Sequence, residues 1–295
     1  MSFNFDCIGC NINQVIRIIN LLDLSKGQGE KIVRAVLKYL SETDYSKCNP
    51  ELVCGTWNLI CKHAGDSDPY RDTKAYYNLE LLKLYEEISG IINAAENKFS
   101  AALKIAIAGN LIDFAAKHTF DMETVKQKII DSKNMRLDID HSGELYESLG
   151  RSKSLLYLGD NCGEIVLDKL FIEIIKKEFP GINVFYGVRG KPVANDVTVT
   201  DAQMTEMEKA AVVIDNGDGS SGTVIHRVSP QFRKIFYEAD IVISKGQGNY
   251  ESLSSIDREN VFFLFMSKCE AVAKPLGVKT MAILCIKNTP PQSEE

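Results

Sequence analysis

The sequence is poor in proline and histidine and contains no long uncharged apolar run. Its 295 residues include 8 prolines and 4 histidines, while 45% are hydrophobic and 25% are charged. This composition excludes a disordered, collagen-like or low-complexity chain. The longest apolar stretch, 101–116, is interrupted by Lys104, Asn110 and Asp113, and it falls short of the ~18 residues that cross a bilayer. We therefore expect a globular protein without a membrane span.

Positive charge is also scarce, with 34 basic residues against 40 acidic ones and a net charge of -6. This balance disfavours binding to nucleic-acid phosphates or anionic lipid, so neither nucleic acid nor membrane is an expected partner. The eight cysteines follow no dense framework spacing, and the amino terminus lacks the features of a secretory signal. Reduced thiols and a cytoplasmic location are expected, and the oligomeric state is left open.

The pattern of apolar residues changes near residue 150. Up to that point apolar residues recur at spacings of three and four, which predicts helices, among them 50–63, 71–98, 100–117 and 121–132. From residue 154 short apolar runs alternate with amphipathic segments, which favours an α/β fold with a mostly parallel sheet between helices. We therefore expect a helical domain over 1–150 and an α/β domain that binds metal and phosphate over 151–295.

Polar segments follow four of the predicted strands. In an open parallel sheet, ligands bind beyond the carboxyl ends of the strands. These segments supply carboxylates, amides and glycines, and the last of them begins with Lys245; they are 159–164, 189–196, 215–223 and 245–251. The pentapeptide Ser-Lys-Gly-Gln-Gly occurs in the last of them and also at 25–29, where a turn between helices is expected.

Asp160, Asn161 and Asp196 offer only oxygen ligands, which magnesium and manganese prefer. Their two carboxylates would balance the charge of the metal and leave room for a phosphate, whose charge Lys245 and the amides of the glycine turns would meet. A metal there would polarise a phosphoryl oxygen, while a carboxylate positions water or attacks phosphorus. These residues thus predict phosphoryl chemistry.

Each of these residues also has a purely structural interpretation. Asp160 and Asn161 could cap a helix, Asp196 could be a turn residue, and the glycine-rich segment 216–222 could be a flexible loop. Lys245 taken alone could be a solvated surface charge. The occurrence of all of them at successive strand ends favours the binding-site interpretation.

The same segments resemble the metal-dependent damage-control phosphatase family, also known as domain of unknown function eighty-nine. The Gly-Asp-Asn-Ala-Gly-Glu signature of the family is similar to 159–164, and its Lys-Gly-x-Gly-Asn-x-Glu signature is similar to 245–251. Its Asn/Ser-Asp pair resembles Asn195-Asp196, and its Ala-Gly-Asn-x-Ile-Asp segment resembles 108–113. Cys162 stands where alanine is usual, which places a soft ligand or oxidisable thiol beside the expected site.

The resemblance implies a helical domain packed on a three-layer, Rossmann-like α/β domain with a mostly parallel sheet. It also implies a phosphoric monoester hydrolase that uses magnesium, manganese, cobalt or nickel. The substrate would be a small phosphorylated metabolite, such as a sugar phosphate, a phosphopantetheine-like compound or a nucleotide-like compound. Asp160, Asn161 and Asp196 would hold the metal, and Asp160, Asp196 and Lys245 would be catalytic. The residues implied to bind substrate are Glu164, Gly222, Thr223, Lys245 and Asn249.

Two other functions are weighed against this one. The loops could retain a nucleotide or phosphosugar without cleaving it, as a noncatalytic binding module. A carboxyl methyltransferase activity, attributed to one branch of the family, has little support because 158–163 lacks the tighter glycine spacing of a cofactor-binding loop. Whether Asp160 attacks phosphorus or only holds metal is left open.

Cys7-Ile8-Gly9-Cys10 resembles the amino-terminal Cys-x-x-Cys of the prokaryote-type branch of the family. This motif can supply half of a zinc site, and Cys269 could join it as a third thiol, but a second closely spaced pair is absent from the sequence. A soft-metal or redox site is therefore one interpretation, and buried structural thiols at the start of the first helix are the other.

Overall fold

The amino-terminal half of the chain is helical, as the sequence predicts. The computed structural model describes residues 3–111 and 122–289. Serine and asparagine side chains cap two of the helices: Ser25 forms a capping box with Gln28, and Asn97 accepts from the Ser100 backbone N–H. The helices are α1 (Asp6–Leu21), α2 (Lys26–Glu42), α3 (Asn49–Ala64), α4 (Arg71–Lys83), α5 (Tyr85–Ala94), α6 (Lys98–Ala108), α7 (Met122–Ser132) and α8 (Ser142–Arg151).

Two of the predicted helix boundaries differ from the observed ones. The predicted helix over 71–98 is divided at Leu84 into α4 and α5. The predicted helix over 100–117 corresponds to α6, which ends at Ala108, and residues 112–117 lie outside the described part of the chain. The periodic apolar pattern continues through the break at Leu84 because the helices on both sides of it bury apolar residues at the same spacing.

The second half forms the predicted α/β arrangement around a seven-stranded sheet. The sheet order is β1-β7-β6-β5-β2-β3-β4; every neighbouring pair is parallel except β6 and β7. The strands are β1 (Ile139–Asp140), β2 (Ser154–Leu158), β3 (Asn183–Val188), β4 (Val212–Asp215), β5 (Ile241–Lys245), β6 (Val261–Met266) and β7 (Ile283–Lys287). The accompanying helices are α9 (Glu164–Glu178), α10 (Val199–Met204), α11 (Pro230–Glu238), α12 (Gln247–Leu253) and α13 (Glu270–Ala273).

The strand order reverses between β2 and β5. From β2 the chain adds β3 and β4 on one side, and it then crosses back to place β5 on the other side of β2. The loops that leave β2 and β5 therefore diverge, and a crevice forms between their carboxyl ends, where ligands bind in open α/β sheets. Both loops carry residues that the sequence predicts to be functional.

The described residues form three hydrophobic cores. One lies between α1, α2 and α3, and it includes Val193 from the loop after β3. A second fills the space between one face of the sheet and helices of both halves, including α6 and α9, while a third covers the opposite face under α11 and α12. The helical half therefore shares a core with the sheet, and the boundary at residue 150 stays a prediction. No helix within 3–111 and 122–289 is long and apolar enough to cross a membrane.

Candidate functional site

The loops that follow β2 and β3 pair with each other at the carboxyl edge of the sheet. Asn161 and Asp196 form an antiparallel β-bridge, and the Val197 backbone N–H donates to the Asp160 carbonyl oxygen over 2.9 Å. This pairing brings together the three predicted cation ligands, although Asn161 and Asp196 are 35 positions apart in the sequence. Asp160 and Asp196 are both buried.

Hydrogen bonds fix the orientation of the Asn161 amide. Its Nδ2 donates to Asp160 Oδ2 over 2.8 Å and to Glu164 Oε1 over 2.7 Å. Because the nitrogen is used by two carboxylates, the amide oxygen is the atom left to coordinate a cation. The helix-cap interpretation of Asp160 and Asn161 is not supported, because the residue at the N-cap of α9 is Gly163, which has no side chain to bond to the first turn.

The close approach of β5 to Asp160 explains one glycine of the 245–251 segment. Gly246 has φ +82°, and a Cβ atom at this position would overlap the Asp160 carboxylate. Both the backbone conformation and the contact require glycine. The end of β5 is therefore shaped to accept the Asp160 side chain.

Beneath this carboxylate lies a fully buried ionic network. Lys245 Nζ contacts Asp168 Oδ1 at 2.6 Å, Glu164 Oε2 at 3.3 Å and the Ala106 carbonyl oxygen at 2.7 Å. The Tyr157 hydroxyl also donates to Asp168 Oδ1, at 2.7 Å. Three acceptors thus surround the ammonium, which matches its three donors.

Burial and mutual repulsion perturb these carboxylates. Desolvation, followed by the charge of Asp196, raises the pKa of Asp160 to about 6. Desolvation likewise raises the pKa of Glu164 to about 7, although Lys245 opposes the rise. Burial alone would lower the pKa of Lys245, but Asp168 and Glu164 outweigh it and the pKa is raised. Perturbed carboxylates in a crevice are a common property of functional sites.

Arg189, which directly follows β3, connects the remaining strand ends. Its Nε donates to Asp196 Oδ2 over 2.7 Å. Its Nη1 lies 3.2 Å from Asn249 Oδ1 and 3.3 Å from Thr223 Oγ1. Thr223 and Asn249 also bond to each other over 2.9 Å. The ends of β3, β4 and β5 are therefore joined by one set of hydrogen bonds.

The helical half contributes directly to the site. Asn110 Nδ2 donates to Glu164 Oε2, so the segment that resembles the family's Ala-Gly-Asn-x-Ile-Asp lies beside the ionic network; its positions 112 and 113 are outside the described residues. On α4, Asn78 accepts from the Gly163 N–H over 2.7 Å and donates to Asp201 over 2.9 Å. Both paired loops are thereby fixed to helices of the other half.

The structure places Lys245 differently from the sequence expectation. A lysine that contacts phosphate needs an accessible ammonium, whereas the Lys245 side chain is 0% exposed and bonded on three sides. In this structure Lys245 has an ionic role inside the site, and its contact with phosphate stays a prediction. The strand end is covered by α6 and α9, which a solvated-charge interpretation does not anticipate.

The other residues expected to bind substrate are also buried. Glu164 and Asn249 are 0% exposed, and the Thr223 N–H and hydroxyl are used by Ser252 and Asn249. Gly222 packs against the Gly248 backbone, where a side chain would not fit. We therefore describe these four residues as the support of the loops, and their contact with substrate stays a prediction.

The sequence assigned no role to Arg189 or to Lys268, but Arg189 lies within the site and the charge of Lys268 acts on Asp160. Lys268 lies two residues beyond β6, its side chain is exposed, and its charge opposes the rise in the pKa of Asp160. The available signal was position, because each follows the carboxyl end of a parallel strand. The end of β6 was left out of the set of strand ends that the sequence suggested.

Cys162 is fully buried, and burial followed by the charge of Asp201 raises its pKa well above the ordinary value. The thiol is therefore protonated at neutral pH, which argues against a soft ligand or a reactive thiol at this position.

The amino-terminal thiols lie near Cys269 and Glu251. Cys10 is exposed and Cys7 is half-buried, so the pair is not a buried structural one. Burial, followed by Glu251, raises the pKa of Cys7 to about 11. Across the described ranges, no group of three or more His, Cys, Asp or Glu side chains is arranged to hold a metal ion. A preformed thiol metal site is thus unsupported, and a redox role for Cys7, Cys10 and Cys269 stays a prediction.

Comparison with known proteins agrees with this geometry. Residues 4–284 match the family described as Damage-control phosphatase ARMT1-like domain. The chain is 32% identical over 291 residues to a damage-control phosphatase of Pyrococcus horikoshii, covering 98% of this chain and 99% of that protein. It is 28% identical over 275 residues to a damage-control phosphatase of Archaeoglobus fulgidus, covering 92% and 94%.

Among solved structures, a crystal structure of a DUF89 family protein from Pyrococcus horikoshii is similar throughout. The TM-score is 0.88 at 31% sequence identity, and the match covers 98% of this chain and 100% of that chain. These findings confirm the family resemblance and the α/β fold with a helical amino-terminal half; membership of the Cys-x-x-Cys branch stays a prediction. The chain belongs to the damage-control phosphatase ARMT1-like family.

Proposed function

We propose that this protein is a divalent-cation-dependent phosphatase that hydrolyses the monoester of a small phosphorylated metabolite. The observation that carries the proposal is the convergence of Asp160, Asn161 and Asp196 between the paired loops that follow β2 and β3, next to the reversal of strand order between β2 and β5. Family membership supports phosphatase chemistry, and the position of the loops supports this edge of the sheet as its location.

Charge balance supports a divalent cation at this position. The buried groups linked by contacts are four carboxylates, Asp160, Glu164, Asp168 and Asp196, and two cations, Lys245 and Arg189. With all of them ionised, the cluster carries two uncompensated negative charges, which are costly in a buried position. One divalent cation removes this excess. Asp160, Asn161 and Asp196 would hold this cation, and one of these three ligands is the amide oxygen of Asn161 instead of a carboxylate.

The ligand chemistry favours a hard cation. Two carboxylates and one amide oxygen suit magnesium or manganese, and the family resemblance adds cobalt and nickel. Such a cation, when bound, polarises a phosphoryl oxygen and makes bound water more acidic. The side chains of the protein hold and orient it: Glu164 holds the Asn161 amide, and Gly246 leaves room for Asp160.

Lys268 is a second candidate for the phosphate contact that the sequence assigned to Lys245. It is exposed and its charge opposes the rise in the pKa of Asp160, so it can attract and neutralise a phosphate dianion that binds beside this carboxylate. Lys245 instead neutralises Glu164 and Asp168 from beneath. A small substrate fits this arrangement, because the cationic groups lie at one edge of the sheet. The net charge of -6 on the chain would repel a polyanion.

Phosphate release from a panel of sugar phosphates, phosphopantetheine and nucleotides tests the proposal, with Mn²⁺ or Co²⁺ and with a chelator. We expect release that requires the cation and is abolished in Asp160→Asn. Asp131→Asn is the matched control, since Asp131 is an exposed residue of α7. Equal release in chelator and in Asp160→Asn would reject the cation-dependent site. Tight binding of a phosphometabolite without any turnover would identify a noncatalytic binding module instead.

A further inference from the structure

Arg189 is the most deeply buried arginine of the described residues, with 2% of its surface exposed. Three of its contacts hold the guanidinium plane: Nε bonds to Asp196, and Nη1 lies within 3.3 Å of Thr223 and Asn249. These partners come from three different strand ends. The group is therefore fixed in orientation before any ligand binds, which reduces the entropy cost of a further contact.

The remaining nitrogen, Nη2, is buried and has no hydrogen-bond partner among the described residues. The nearest acidic oxygen, Asp160 Oδ1, is 3.8 Å away, beyond hydrogen-bond distance. A buried charged donor without an acceptor is costly, because it has lost water and gained nothing in exchange. Such a donor in a crevice is typical of a site that an external acceptor completes.

We propose that Nη2 of Arg189 donates to a phosphoryl oxygen of the bound substrate. Arg189 would then contact the substrate through Nη2 while it holds Asp196 through Nε. The proposal rests on the proposed function, because it places a phosphate beside Asp160. A group that reaches Asp160 Oδ1 arrives within a few ångströms of Nη2. Arginine donors match phosphate oxygens in geometry and charge.

The alternative role for Arg189 is that of a counter-ion that only orients Asp196. An experiment can separate the two roles. A residue that only orients Asp196 changes the affinity for the cation, whereas a residue that contacts phosphate changes the affinity for phosphate. Lysine at position 189 keeps the positive charge that faces Asp196 but cannot place a second donor at the position of Nη2. Arg189→Lys therefore removes the proposed contact at constant net charge.

The experiment is isothermal titration of Arg189→Lys and of wild type, first with Mg²⁺ alone and then with inorganic phosphate at saturating Mg²⁺. We expect Mg²⁺ affinity to change by less than about threefold and phosphate affinity to fall by about 10- to 100-fold, the effect of one hydrogen bond to a charged group. Arg258→Lys is the matched control. Arg258 is half-buried at the opposite edge of the sheet, where it bonds to the carbonyl oxygens of Phe236 and Ala239.

Unchanged phosphate affinity, or equal losses of Mg²⁺ and phosphate affinity, would overturn the proposal and leave Arg189 as a counter-ion of Asp196. If Arg189→Lys does not fold, ¹⁵N spectra of the wild-type guanidinium groups decide. The slowly exchanging signal of the buried arginine must shift when phosphate is added to the Mg²⁺-loaded protein, and an unshifted signal overturns the proposal. Turnover separates the two hypotheses: phosphate binding that depends on Arg189 without hydrolysis refutes the phosphatase function alone, and hydrolysis without Arg189 dependence refutes only the arginine contact.

Discussion

Replacement of Lys245 by methionine tests whether the lysine of the Lys-Gly-x-Gly-Asn-x-Glu segment is an internal counter-charge. The substitution keeps most of the volume and removes the ammonium from between Glu164 and Asp168, all three of which are 0% exposed. Removing one partner of a buried ion pair costs about 3–5 kcal/mol, because the other charge is left buried without compensation. We expect Lys245→Met to lower the free energy of unfolding by this amount.

Lys287→Met provides a matched control at the same separation. Lys287 Nζ lies 3.3 Å from Glu144 Oε2, as Lys245 Nζ does from Glu164, but its side chain is 37% exposed and that of Glu144 is 54% exposed. An exposed pair contributes only about 0–1 kcal/mol. Urea unfolding followed by circular dichroism at pH 7.5 measures both variants. The Lys245–Glu164 and Lys287–Glu144 pairs then differ mainly in their burial.

The double variant Lys245→Met, Asp168→Asn adds a second test. Neutralising Asp168 removes part of the uncompensated charge, so its effect in the Lys245→Met background should be smaller than in wild type. Equal losses of stability in Lys245→Met and Lys287→Met would refute the reasoning. Retained stability with lost phosphate affinity would instead restore the sequence-based role of Lys245 as a phosphate contact.

Three further predictions concern the loops and the opposite edge of the sheet. Gly246→Ala should lower the free energy of unfolding by about 1–3 kcal/mol from its backbone conformation alone and weaken Mn²⁺ binding by displacing Asp160; unchanged Mn²⁺ affinity in calorimetry would contradict that contact. Asn78→Ala leaves the buried Gly163 N–H without its acceptor, so it should cost about 1–3 kcal/mol in urea unfolding and lower kcat, and a fully active, equally stable variant would argue against it. Asp240 accepts from the backbone N–H groups of Lys153 and Ser154 at the start of β2, and the bond from Lys153 is the largest cause of its lowered pKa. Its stabilisation is therefore present above the ordinary pKa of about 3.9 and is lost as the pH falls through the lower value of the folded protein. Asp240→Asn should cost at most about 1 kcal/mol at pH 7, and a difference from wild type that persists unchanged at pH 2 would disprove the titration.

The positions of the six long strands could be predicted from the sequence because short apolar runs leave a simple signal. Each of the six long strands is a short apolar run, such as 241–245 and 261–266, and β6 is buried at every position. The polar residues that follow these runs then locate the carboxyl edge of the sheet. Pairing of the loops after β2 and β3 has no such signal, because it depends on two backbone hydrogen bonds between segments far apart in the chain.

The repeated pentapeptide shows how the surroundings decide the role of the same residues. At 25–29, Ser25 caps α2 and the next residues enter the helix in solvent. At 244–248, Ser244 and Lys245 are the fully buried end of β5, and Gly246 turns the chain towards α12. Local sequence is identical, so the difference arises from the apolar run that precedes the second copy. The sequence therefore indicates which copy is in the sheet, but not how deep its lysine lies.

That depth is set by the helical half of the chain. The Ala106 carbonyl accepts from Lys245, Asn110 donates to Glu164, and Asn78 accepts from the Gly163 N–H. Helix α4, helix α6 and the residues just after α6 therefore supply polar groups to the ends of β2 and β5. A division into a helical domain and a metal-binding domain assigns all the chemistry to residues after 150. The hydrogen bonds argue otherwise: the charge state and position of the carboxylates depend on both halves, because the buried network has no complete set of partners in either one.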